Sequence, residues 1–167
     1  MKCVCSDTNV WIDFSIIDKV NLPFRLPYTY IMNADALDDE LLFSDDLRTM
    51  LLMNGLVCTH LSYEEFVLAE MLGPRYPRLS TYDRIALAMA KIRGIYLLTG
   101  DGALRKAAKN ESVQVIGTLG ILDQLLLAKH ISEQEYKLCL GRLQAHNGKE
   151  VRLPSNEIAV RLQRMKE

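Results

Sequence analysis

Apolar positions along this chain recur at two periods, and the alternation between them predicts strands and helices in turn. Ile85, Met89 and Ile92 stand at helical spacing behind Ser80, a good N-cap, and Gly94 ends that helix. Ile95-Tyr96-Leu97-Leu98 follows as an apolar run of strand length, and Thr99-Gly100-Asp101-Gly102 turns the chain out of it. Near the start, Cys3-Val4-Cys5 is a short apolar strand that stops at Ser6-Asp7-Thr8-Asn9, and Val10-Trp11-Ile12-Asp13-Phe14 begins a helix. Tyr28-Thr29-Tyr30-Ile31-Met32 has the β-branched and aromatic character of a strand, after a loop-like, proline-containing stretch from Asp18 to Pro27.

The remaining elements follow the same signals. An acid-rich helix starts near Asp35, with Leu37 and Leu41 on one face. Ser44 caps a helix to about Met53, and residues 56–61 form a short strand or an extended link. Ser62-Tyr63-Glu64-Glu65 is a capping box for a helix that runs to Leu72. Gly73 to Arg78 reads as a rigid surface loop whose arginines and tyrosine have the chemistry to meet a phosphate backbone and a base. Further on come a short helix from Ala103 to Lys109, a strand at Val113–Ile116 and a helix from about Gly120 to Lys129. A helix opened by Ser132 ends near Ala145, and a last helix capped by Ser155 runs to Lys166. Strands alternating with helices across short connections predict a three-layer α/β fold with a mainly parallel sheet.

Composition narrows the class without naming a function. At 167 residues the chain reads as one domain with room for a real core, and 49% hydrophobic against 25% charged residues is the balance of a soluble globular protein. A formal net charge of −1 means that any nucleic-acid partner must be met by a local basic patch. The four cysteines lack zinc spacing and read as reduced, buried thiols of a cytosolic protein. Met1-Lys2 leads into no signal peptide, and the apolar runs are too short to span a membrane, so a cytoplasmic location is expected.

The chemistry lies in acids placed at element ends. Asp7 and Asp101 both sit where a buried strand exits, the end at which open α/β sheets bind ligands. Asp83 lies in the first turn of the central helix, and Glu40 follows Ala36 by one turn on the earlier helix. Each has an ordinary structural explanation as well. Asp7 and Asp101 suit turns and caps, and Ser80-Thr81-Tyr82-Asp83 suits a capping box. Asn9 is an alternative cap that would leave Asp7 free. If the first strand and the Ile95 strand are neighbours, the four carboxylates converge, and they cannot all stay ionised without a counter-charge. Oxygen-only ligands of that kind select Mg²⁺ or Mn²⁺ over zinc.

On these residues the chain resembles the PIN-domain ribonucleases, and most of all prokaryotic members akin to the VapC-type toxins of toxin-antitoxin pairs. Ser6-Asp7-Thr8-Asn9-Val10 resembles the family's opening strand exit. Leu79-Ser80-x-x-Asp83-Arg84-x-Ala86-Leu87-Ala88-x-Ala90 is similar to its central helix. Leu97-Leu98-Thr99-x-Asp101, with Leu104-Arg105-x-x-Ala108, is similar to its last acidic motif. Val115 to Leu122 and Arg152 to Ile158 resemble the corresponding segments of one PIN subgroup, so the likeness covers almost the whole chain.

The resemblance implies a three-layer α/β/α PIN-like fold with a mainly parallel central sheet. It implies a single domain over residues 1–167, with additional C-terminal helices at about 133–167. It implies a metal-dependent endoribonuclease in which Asp7, Glu40, Asp83 and Asp101 hold Mg²⁺ or Mn²⁺. Asp35, Asp38 and Asp39 compete with Glu40 for the second acidic position, and Gly100 stands where members often carry an additional acid. Asn9 and Thr99 are candidates for positioning water or ligands, and Arg105 for a phosphate contact. The implied partners are an RNA substrate, a cognate antitoxin protein and a second copy in a homodimer. A groove between the helices after Ser44 and Ser62 is the candidate antitoxin surface. Competing expectations are a non-catalytic PIN-like module that binds RNA or protein, and an RNA-processing PIN nuclease outside any toxin-antitoxin pair. A Mg²⁺-dependent phosphotransfer domain of receiver type needs an early acidic pair and a nucleophilic Asp at a middle strand end, and nothing here fits it as well as the Asp83 helix fits the PIN pattern.

Overall fold

A computed structural model describes residues 2–41 and 45–167. Five strands, β1 (Lys2–Ser6), β2 (Tyr28–Asn33), β3 (Val57–Thr59), β4 (Tyr96–Leu98) and β5 (Val115–Ile116), form one sheet in the order β3-β2-β1-β4-β5. Every pairing is parallel, so each crossover carries at least one helix. The helices are α1 (Thr8–Ile16), α2 (Ala34–Glu40), α3 (Asp45–Asn54), α4 (Tyr63–Arg75), α5 (Thr81–Arg93), α6 (Gly102–Asn110), α7 (Thr118–Leu127), α8 (Glu133–His146) and α9 (Ser155–Arg164). A 3₁₀ turn at Leu22–Arg25 interrupts the stretch that reads as a loop in the sequence.

Side chains alternate across the sheet with period two, and each face has its own core. Val4, Tyr30, Met32, Leu98 and Ile116 point into a core built with α1, α3, α7, α8 and α9. Cys5, Ile31 and Leu97 point the other way, against α4, α5 and α6. The helices beyond residue 132 therefore share the first of these cores rather than standing apart. Trp11 is fully buried in it, stacked on Phe24 and edge-on to Tyr30, and its Nε1 donates to Ser6 Oγ at 3.0 Å. That bond ties the start of α1 to the end of β1, where Asp7 lies.

Several boundaries differ from the sequence expectation for local physical reasons. Pro74 lies inside α4, which runs on to Arg75; having no N–H, it leaves out the helical hydrogen bond to the Glu70 carbonyl, and α4 ends one residue later. At Gly73 the Arg84 side chain from α5 passes close by: a Cβ would meet Nη1 at 2.6 Å, and the guanidinium would have to shift. The Gly73–Arg78 segment is also not a free nucleic-acid loop. Arg75 and Tyr76 both bind buried Glu111, at 3.0 Å for Nη1 and 2.5 Å for the phenol. Ser155 is the first helical residue of α9 and Pro154 occupies the cap. Cys3 and Cys58 are exposed, so only Cys5 and Cys139 are the buried thiols expected; all four are free. The expected cap Ser44 lies outside the described residues. Among the described residues no helix is long and apolar enough to cross a membrane.

Candidate functional site

β1 and β4 are adjacent, with Ser6 opposite Leu98, so the two acidic strand exits are brought together. Asp7 N–H continues the ladder to Leu98 O at 2.8 Å, which holds its side chain at the sheet edge. Asp7 occupies the N-cap position of α1 but makes no side-chain cap bond. Its Oδ2 instead accepts from Thr99 Oγ1 at 2.9 Å and from Asn9 Nδ2 at 3.3 Å. Asp7 is only 4% exposed. Burial, then the nearby charges of Asp83 and Glu40, push its carboxyl up to about 7, against the pull of the Thr99 hydroxyl.

Asp83 keeps the structural role open to it. Ser80 and Asp83 form a reciprocal capping box, with Ser80 N–H donating to Asp83 Oδ2 at 3.0 Å and Asp83 N–H to Ser80 Oγ at 3.1 Å. Even so its carboxyl is raised by partial burial, with Asp101 adding repulsion. Asp101 caps α6 through Leu104 N–H at 3.0 Å, and its own N–H donates to Thr99 Oγ1 at 3.1 Å. Thr99, fully buried, thus joins the two strand exits through one hydroxyl and is a support for carboxylates rather than a surface that touches substrate. Asn9 is exposed beside Asp7.

The acids of α2 are sorted by their partners. Asp38 pairs with Arg48 at 2.9 Å, Asp39 accepts from the Tyr82 hydroxyl, and Asp35 sits exposed in the first turn. Glu40 Oε1 accepts from Thr8 Oγ1 at 2.7 Å, and Glu40 lines a very small cavity of about 10 Å³ together with Asp7, Asn33 and Tyr82. Burial and the charges of Asp83 and Asp39 raise its carboxyl, against the Thr8 bond.

Asp13 is a further acid, one that the sequence pattern hides among apolar neighbours. It is buried, its Oδ2 accepts from Thr118 Oγ1 at 2.7 Å, and burial lifts its carboxyl to about 6. The available signal is its i,i+4 spacing from Asn9, which places both on one face of α1. Arg105 is exposed, lines a cavity of about 490 Å³ beside the start of α7, and has no ion pair among the described residues.

The fit of a metal to this donor set is a matter of charge more than of preformed geometry. Glu65, Glu111 and Asp123 are each matched by a cation, at 2.8, 2.8 and 2.7 Å respectively. Asp7, Glu40, Asp83 and Asp101 have no such partner among the described residues. Asp7 is influenced by both Asp83 and Glu40, and Asp83 by Asp101, yet no three acids, cysteines or histidines among the described residues form a ready-made ligand group. Hard carboxylate oxygens that repel one another and lack a counter-charge fit a divalent cation of the Mg²⁺ type, with side-chain adjustment on binding.

A family model described as a PIN domain, DUF3368, matches residues 3–167. Among solved structures, the fold is similar to that of a PilT N-terminus domain protein from the hyperthermophilic archaeon Sulfolobus solfataricus. That likeness has a TM-score of 0.53 at 17% identity and covers 75% of this chain and 94% of the archaeal one. No curated protein matches the chain.

Proposed function

This chain belongs to the PIN-domain family, whose members are generally nucleases, and from that premise we propose that it is a metal-dependent endoribonuclease. The observation that carries the reading is Asp7. It is a buried carboxylate at a parallel-sheet C-terminal edge, flanked by two further acids and supported by a hydroxyl, with no cation partner among the described residues. A fold seldom keeps such a group unless something positive meets it there.

In this reading Asp7, Glu40, Asp83 and Asp101 would hold Mg²⁺ or Mn²⁺. When bound, the ion lowers the pKa of a coordinated water and offsets charge on the phosphodiester. The protein's own part is positioning. Thr99 fixes Oδ2 of Asp7 and, through the N–H of Asp101, the turn beneath the last acid. Thr8 fixes Glu40, and the capping box fixes Asp83 on α5. Asp7, raised to about 7, is ready to release its proton as a cation enters. An acidic side chain free of the ion would orient the attacking water by hydrogen bonding.

The toxin role, a cognate antitoxin and a homodimer belong to the same proposal. They draw support from exposed apolar side chains on neighbouring elements. Met50 and Met53 on α3, Val57 on the edge strand β3, and Tyr63, Phe66 and Met71 on α4 are all more than two-fifths exposed. Surfaces of this kind are associated with protein partners. The lack of a preassembled three-acid group among the described residues favours a second reading, a non-catalytic module that binds RNA.

One experiment separates the two. Purified protein is incubated with a mixed pool of structured and single-stranded RNA in Mg²⁺, Mn²⁺ or EDTA, beside Asp7→Asn and Asp83→Asn checked for folding by circular dichroism. Cleavage that needs metal and is lost in both folded variants is the expected result. RNA binding without cleavage under either metal, with no inhibitor co-purified, would establish the binding module instead.

A further inference from the structure

Two open cavities meet at Gly100, which lines both. One, of about 450 Å³, includes Asn9, Asp101, Lys149 and Arg152; the other, of about 490 Å³, includes Arg105 and Asn156. A side chain at position 100 would narrow the saddle between them, since its Cβ would lie 3.4 Å from Leu153 Cδ2 and 3.7 Å from Asp13 Oδ2. The outer wall of both comes from the segment between α8 and α9. That segment is well fastened. Asn147 Oδ1 accepts from Leu153 N–H at 2.8 Å, Asn147 Nδ2 donates to Leu153 O at 3.0 Å, and Gly148 N–H donates to Val151 O at 2.8 Å. Val151 and Leu153 are buried, while Lys149 and Arg152 are exposed.

Among the described residues most lysines and arginines make no ion pair; those along this path are set apart by lining the two cavities. Elsewhere Arg93 is matched to Glu65, Arg75 and Lys91 to Glu111, and Arg161 to Asp123 and Glu157. Arg105, Lys149 and Arg152 have no ion pair among the described residues; Glu150, beside two of them, lies 3.2 Å from His146 Nδ1, an ion pair only when that ring is protonated. Arg105 lines one cavity together with Glu157 and its partner Arg161, and Lys149 and Arg152 line the other together with Asp13, Asp101 and Glu150. A chain of phosphates would be attracted to the unpaired cations and kept off the acids, except where a bound cation neutralises them. On a protein of net charge −1, attraction of a polyanion must be local in this way.

We propose that the Lys149–Asn156 segment is the outer wall of a substrate groove, and that Arg105, Lys149 and Arg152 bind the phosphates of single-stranded RNA crossing the Gly100–Gly102 turn beside Asp101. This rests on the nuclease reading for the identity of the polyanion and adds to it the surface along which the strand runs. Each cavity lies in the size range of small-ligand pockets, about 300–1,000 Å³. That is room for about one nucleotide unit apiece. The wall belongs to a C-terminal segment remote in sequence from every acid of the candidate site.

The test is equilibrium binding of a short fluorescent oligouridylate in EDTA, where no metal-dependent cleavage intrudes, over a series of salt concentrations. The variants are Lys149→Ala with Arg152→Ala, Arg105→Ala alone, the charge-retaining Arg152→Lys, and Lys137→Ala as an exposed cation on α8. The double variant is expected to bind about tenfold more weakly at low salt. Its plot of log affinity against log salt should flatten by about 0.7 for each phosphate that the protein no longer neutralises. Arg105→Ala should behave likewise to a smaller degree, and it tests the same groove from another element should the double variant misfold. Arg152→Lys should retain affinity and Lys137→Ala should match the parent. Equal affinity and equal salt slope in parent and double variant, or no measurable binding by the parent at low salt, would overturn the proposal. Unchanged binding with intact metal-dependent cleavage would remove the groove and leave the nuclease. Weakened binding by the variants of a protein that cleaves under no metal would leave the groove and remove the nuclease.

Discussion

The Thr99 hydroxyl donates to Asp7 Oδ2 at 2.9 Å across a sequence separation of 92 residues, and it accepts the N–H of Asp101 at 3.1 Å. One fully buried side chain at the end of β4 therefore supports the acids at two strand exits. Its hydrogen bond favours the ionised form of Asp7 against a burial effect that opposes it. Thr99→Val keeps the shape and removes both bonds. Stability should fall by about 1–3 kcal/mol, since two hydrogen bonds of about 0.5–1.5 kcal/mol each are lost. Asp7 should then titrate higher still, so the acid limb of a pH–cleavage profile should move to higher pH. Thr99→Ser should restore it. A profile that stays in place while stability falls would mean that Thr99 acts only in packing.

Asp7 also makes a signed prediction for stability. Its carboxyl is raised from 3.8 to about 7 in the folded protein, so the charged form is disfavoured by folding. This group costs nothing below its unfolded pKa; the cost grows as pH rises towards 7 and is constant above. In EDTA at pH 8, Asp7→Asn should be more stable than the parent, by roughly 2–4 kcal/mol at most. The difference should vanish near pH 4. Adding Mg²⁺ or Mn²⁺ at pH 8 should raise the melting temperature of the parent and not that of Asp7→Asn, because a ligand that binds only the folded state stabilises it. Thermal unfolding followed by circular dichroism at the two pH values, with and without metal, checks both halves.

Glu111 gives the opposite pH behaviour. It is 7% exposed and receives Arg75, Lys91 and the Tyr76 hydroxyl, which together hold its carboxyl down at about 2 although burial alone would raise it. Its stabilising effect is present above its unfolded pKa of 4.5 and is lost as pH falls from there towards 2. Glu111→Gln should cost about 2 kcal/mol at pH 7, less than a fully buried pair because Arg75 and Lys91 can return to water. The deficit should shrink below pH 4. Urea unfolding at pH 7 and pH 3 measures it. Cleavage, if present, should persist in the folded variant, since this cluster ties α4 and α5 to the end of α6 away from Asp7.

What the chain could show by itself was local. Apolar spacing and caps placed Asp83 in the first turn of a helix begun by Ser80, and Asp7 and Asp101 at strand exits, because periodicity and capping involve neighbours a few residues apart. The parallel α/β layering also followed from that alternation. Only the tertiary structure decided which groups are buried together and which charges are matched. The adjacency of β1 and β4 brings Thr99 to Asp7, and the packing of α1 against α7 brings Thr118 to Asp13 across 105 residues. Folding committed Arg75 and Tyr76 to Glu111, so a loop whose composition suits nucleic acid is tied down. It left Arg105, Lys149 and Arg152 unmatched among the described residues, and it set Glu40 rather than Asp38 or Asp39 beside Asp7 in one cavity. Burial and Coulomb interaction depend on distance in space, and residue order along the chain does not encode that distance.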